Sequence, residues 1–132
     1  MVVVMIIGVL VAIGLPTFLG TRTRAYDAAA HSDIRNAFAA EKAFYSDNAT
    51  YTTDPATMTS IEAAITYVDG DTPLVVDVVY LDLDPIPKTI YVSALSQSGV
   101  CYYLRETNGA GARFASDPAC GVADTQTYNS SW

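Results

Sequence analysis

Hydrophobic and polar positions divide the chain into three regimes. From Met1 to Leu19 (MVVVMIIGVLVAIGLPTFL) no side chain is charged and Thr17 is the only polar one. As a helix this stretch would measure roughly 28 Å, close to the ~30 Å hydrocarbon core of a bilayer. Val and Ile are mediocre helix formers in water, but in apolar surroundings only a helix pairs every backbone group within one segment. Residues 1–21 are therefore expected to form an apolar helix surrounded by lipid or by like helices. From Thr17 to Tyr45 the pattern becomes amphipathic: Tyr26, Ala30, Ile34, Ala37, Phe38, Phe44 and Tyr45 share one stripe, with Asp33, Arg35 and Lys42 at its edges or opposite. Glu41 falls within that stripe, which predicts a rim position or a pairing with Lys42 or Arg35. One helix running from residue 1 to residue 45 and ending near Ser46-Asp47-Asn48 would be about 68 Å long.

Beyond it, residues 47–73 read as a connecting loop rich in Thr, Asp and Ser, with Ser60 capping a short helix Ile61–Ile65. The third regime has period two or is continuously apolar, and predicts strands at Leu74–Leu81, Thr89–Leu95, Val100–Glu106 and Ala112–Ala115. The turns between them are Asp82-Leu83-Asp84-Pro85-Ile86-Pro87, Ser96-Gln97-Ser98-Gly99 and Asn108-Gly109-Ala110-Gly111. A long helix laid on an antiparallel meander of three or four strands is an α+β domain. Its parts are the helix continuation 22–46, the loop 47–73, the sheet 74–115 and a tail 116–132.

Charge narrows the partners. Residues 25–132 carry 5 basic and 14 acidic groups, and eight acids but no base lie between Asp47 and Asp84. Such a surface repels phosphate, so no nucleic-acid contact is expected. Asp69–Asp84 offers carboxylates without the spacing of a calcium loop, and the lone His31 has no His/Cys cluster around it, so neither metal nor cofactor is expected. His31 is the only base available to Ser32, Ser93 or Ser96, and it adjoins Ser32 on a helix with the side chains diverging. The chain is not expected to be an enzyme. Cys101 and Cys120, an isolated pair late in a small domain, read as a disulfide if the domain lies outside the cytosol. Closing that loop of about twenty residues contributes roughly 3 kcal/mol. Asn48-Ala49-Thr50 and Asn129-Ser130-Ser131 match the N-glycosylation triplet, a common chance pattern.

The N-terminal run MVVVMIIGVLVAIGLPTFLG, the spine TRTRAYDAAAHSDIRNAFAAEKAFY and the ending GVCYYLRETNGAGARF…C together resemble type IV pilins and their pseudopilin relatives. Gly8 and Pro16 stand in pilin positions. The resemblance implies a structural subunit of an extracellular filament, or fimbrium, that serves adhesion, motility or secretion. The subunit would be stored as a single-pass protein of the cytoplasmic membrane and polymerised as a homo-oligomer. Its copies would pack through Val4, Gly8, Val11, Ala12, Gly14, Leu15 and Pro16, small residues four apart allowing close approach. Partners implied are the pilus assembly machinery and the prepilin peptidase, which cuts a basic leader and precedes methylation of the new N-terminus. The leader and the first mature residues of the family have no counterpart here, so the sequence reads as starting about six residues late. A basic leader would also hold the N-terminus inside, against the pull of Arg22 and Arg24. The alternatives are a type II secretion pseudopilin, a conductive filament built on Tyr26, Phe38, Phe44, Tyr45 and Tyr51, and a membrane-anchored binding or enzymatic domain.

Overall fold

The computed structural model describes the backbone of residues 1–84, 88–107 and 109–132, and the side chains of these residues apart from 14–19. One helix, α1, runs from Val2 to Asn48, 47 residues or about 70 Å. It stops where Ala49 turns into the left-handed region (φ 55°) and its N–H bonds Tyr45 O at 2.8 Å. Asn48 Nδ2 also donates to Phe44 O. The expected continuous helix is present, ending at the predicted Ser-Asp-Asn.

Only its second half carries the head. Ala30, Ile34, Ala37, Ala40 and Glu41 are buried at helical spacing, and Phe38 and Tyr45 pack beside them. This stripe lies on a five-stranded sheet in the order β1-β2-β3-β4-β5, with β1 Tyr67–Asp69, β2 Val79–Asp84, β3 Thr89–Leu95, β4 Cys101–Thr107 and β5 Arg113–Asp117. The inward face presents Val79, Leu81, Ile90, Val92, Ala94, Tyr102 and Leu104 to the helix, all 9% exposed or less. The alanines let the helix backbone sit close to these larger side chains, so each fully buried Leu, Ile or Val contributes about 1.5–3 kcal/mol. The opposite face is partly covered by the tail, where Tyr91, Cys101, Tyr103, Ala115 and Ala123 form a second cluster with Tyr128 against it.

The sheet differs from expectation in three places. It is mixed rather than antiparallel, because β1 pairs parallel with β2 (Tyr67↔Val79, Val68↔Tyr80, Asp69↔Leu81). A strand of three residues is too short to show a period in sequence. The first long strand begins at Val79, not Leu74: Pro73 is buried, Asp77 takes a positive φ of 59°, and Val76 makes only an isolated bridge to Leu95. That kink leaves Leu74 71% and Val75 52% exposed, although their β-branched neighbours suggested a strand interior. Strand β2 also continues through the expected turn as far as Asp84. Pro85-Ile86-Pro87 and Asn108 lie outside the described residues.

The short helix is α2, Pro55–Ile61, not Ile61–Ile65. Asp54 caps it by accepting from Thr57 N at 2.9 Å, Pro55 supplies a preset φ in the first turn, and Met58 is its buried anchor. The Asp-Pro start outcompetes Ser60, whose hydroxyl instead donates to Thr57 O. The tail 118–132 has a single 3-10 turn at Ala123–Thr125 and pairs Asn129 with Phe114 along the β5 edge. Trp132 then returns to the helix, stacking on His31 at 4.0 Å and donating to Ala115 O.

Candidate assembly surface

The apolar first half of α1 leaves the head. Val2, Val3, Val4, Met5, Ile6, Ile7, Val9, Leu10, Val11 and Ile13 are each at least 50% exposed, and residues 2–13 point apolar side chains to every side. A Cβ added at Gly8 would meet nothing within 4 Å. The structure therefore places Val4, Gly8, Val11 and Ala12 together on bare helix; Gly14, Leu15 and Pro16 lie outside the described side chains. A helix apolar all round is stable only when apolar matter surrounds it. Among the described residues no helix is long and apolar enough to cross a membrane. The expected segment 1–21 includes Gly14–Leu19, whose side chains are not described.

The junction between bare helix and head is polar. Arg22 and Arg24 are exposed, and Arg22 Nε donates to Tyr26 Oη at 2.5 Å while its guanidinium lies over that ring. One turn on, Asp27 Oδ1 accepts from Ser96 Oγ at 2.8 Å and Ser98 Oγ at 2.5 Å. These bonds clip the β3–β4 turn to the helix, so the head begins about 4.5 Å above Arg24. The disulfide lies at the same end: Cys101 and Cys120 are joined with Cα atoms 5.2 Å apart, tying the tail to β4 as the cysteine pair predicted.

At the far end sits a polar cluster that sequence reading placed wrongly. Glu41 is not at a rim and pairs with neither Lys42 nor Arg35; it is fully buried between α1 and the loop before α2. Its Oε2 accepts from Thr52 N at 3.3 Å, and Oε1 has no protein partner. Burial pushes this carboxyl up to about 7, the Thr52 amide opposing only in part. Tyr67, whose buried hydroxyl is also unpartnered, is pushed up to about 12 by burial and by the charges of Glu62 and Glu41. Lys42, expected at the edge of the stripe or opposite it, reaches the sheet from that edge and pairs with Glu106 at 2.6 Å. Glu106 is 2% exposed and takes a second bond from Tyr51 Oη at 2.5 Å, and burial and that bond together raise the Tyr51 hydroxyl. An acid inside an apolar stripe was the available signal for Glu41; nothing in the sequence marks Glu106 as buried.

The remaining candidates fall into packing roles. His31 lies between Trp132 and the edge of Tyr102, and burial together with Arg35 lowers its pKa. Tyr45 stacks on Tyr51 at 4.6 Å, and Phe38 joins the core. Among the described residues no group of His, Cys, Asp or Glu is placed to hold a metal ion. Asn48 ends α1, and Asn129 is held in the β5 bridge. No protein-family model, curated protein or solved structure matches the chain.

Proposed function

We propose that this chain is the structural subunit of a type IV pilus-like filament. The observation that carries the reading is a helix of which one half is sealed against a sheet and the other half is bare and apolar on all sides. Before assembly that half sits in the cytoplasmic membrane, with the disulfide-tied head outside; residues 1–19 supply the apolar length. On assembly it moves from lipid into a bundle of identical helices. The two surroundings are equally apolar, so the hydrophobic term changes little and close packing at Gly8 and Ala12 helps set the direction. Extraction into water, by contrast, would expose large side chains at about 1.5–3 kcal/mol each. A prepilin peptidase and a pilus assembly machine are the partners this cycle requires.

The test compares the full chain with one starting at Thr21, which keeps every residue of the head core. Removed from detergent, the full chain is expected to form sedimentable fibres visible by electron microscopy, and the shortened chain to stay monomeric. Fibres from the shortened chain, or a full chain that remains a lipid-held monomer throughout, would overturn the proposal. The second outcome would leave a tethered single domain.

A further inference from the structure

Charge is graded along part of the sheet. One cross-strand row on its outer face reads Asp82, Tyr91, Arg105, Arg113 across β2 to β5, because Asp82↔Tyr91, Tyr91↔Arg105 and Arg105↔Arg113 are register partners. The acidic end is reinforced. Ala123 N donates to Asp71 O at 2.9 Å, which brings Asp124 of the tail beside Asp71. Asp82 is raised by burial and then by the charges of Asp71, Asp124 and Asp69, so these carboxylates sense one another.

The basic end is the anomaly. Like charges directly opposite on paired strands are destabilising, and the head has only five bases, yet two of them face each other here. Among the described residues the ion pair is Lys42–Glu106, and neither arginine takes part in it. Arg105 instead lies 4.6 Å over the Tyr128 ring, Arg113 is exposed, and the two flank a cavity of about 180 Å³ shared with Thr107, Ala110 and Gly111. Planar guanidinium groups beside an open cavity suit a carboxylate from outside. Three strand spacings, about 14 Å, separate Asp82 on β2 from Arg113 on β5, too far for the two ends of the row to pair within one molecule.

We propose that a second copy of this chain supplies that carboxylate: the Arg105–Arg113 margin of one head receives the Asp71–Asp124 margin of the next. Opposite edges mating in this way make a heterologous contact, which repeats without closing on itself and suits a helical assembly. It also explains how heads of net charge −9 pack side by side, since their charges meet in register rather than at random. The inference rests on the filament reading and adds to it which surfaces of the head meet.

The experiment uses the full chain assembled from detergent, with fibres collected by centrifugation and the subunit concentration left in solution measured. R113E should raise that concentration about tenfold, the effect of losing one well-placed charge pair. D124R or D71R should do the same, and R113E combined with either should restore assembly. The three positions changed, Asp71, Arg113 and Asp124, are exposed, and circular dichroism checks that each head is folded; R113A and D124N serve if a reversal unfolds it. Single reversals that assemble as well as the parent, or combinations no better than the worse single change, would overturn the edge contact while leaving the filament intact. A parent chain that never assembles would overturn the filament reading and this inference with it.

Discussion

Glu41 offers the sharpest test of how the head is held together. Its carboxyl has no solvent exposure, and burial lifts it from 4.5 to about 7 in the folded protein. Between those values the folded state binds one proton more than the unfolded state, so stability must fall as pH rises. Below about pH 4.5 the group is protonated in both states and imposes no cost; above about pH 7 the full cost is present. At about 1.4 kcal/mol per pH unit the cost reaches about 3 kcal/mol, a large share of a small domain's stability. Glu41→Gln keeps the shape and the acceptor for Thr52 N but cannot ionise. Urea unfolding followed through the single tryptophan, Trp132, gives stability at pH 5 and pH 8. The parent should lose about 2–3 kcal/mol more than the variant over that interval, so that Glu41→Gln is near parity at pH 5 and the more stable protein at pH 8. Comparing the two chains cancels His31, whose lowered pKa acts in the opposite direction, and Asp33 and Asp82, whose raised values act in the same one. Equal pH slopes, or a variant weaker at pH 8, would refute the reasoning.

The other perturbations act at the two ends of the sheet. Replacing Cys101 and Cys120 by Ser should lower stability by about 3 kcal/mol while far-ultraviolet dichroism still reports the sheet; two thiols reactive to alkylation in unfolded, unreduced protein would contradict the bridge. Lys42→Ala leaves Glu106 buried with only Tyr51 as partner, at a cost of about 2 kcal/mol by thermal melting. Adding Glu106→Leu should recover part of that loss, and a Lys42→Ala protein as stable as the parent would show the pair to be idle.

Legibility followed the range of the forces involved. The helix was readable because an unbroken apolar run passes without a turn signal into a striped segment that reaches Tyr45, and its end was readable because Asn48 and its neighbours compete locally for backbone bonds. Strand β3 was placed to the residue, bounded by turn signals on both sides. The short helix was missed although its signal was local: Asp54-Pro55 marks a start more strongly than Ser60 does. Strand β1 and the detour at Leu74–Val78 carried no local signal. Tyr67–Asp69 becomes a strand only because β2 offers it an edge, and Val75 leaves the sheet only because Asp77 turns the chain.

By itself, then, the sequence determined the quantities that depend on neighbours in the chain: a helix apolar in its first half and striped in its second, the run of strands, the acidic balance and the cysteine pair. Tertiary structure decided whatever depends on residues far apart in the chain. It placed Glu41 and Glu106 in the interior, paired Lys42 with Glu106 across the helix–sheet contact, and aligned Asp82 and Arg113 at opposite ends of one row. The physical reason is that periodicity states which face of an element is apolar, whereas the partner that satisfies a buried charge is chosen by packing across tens of residues.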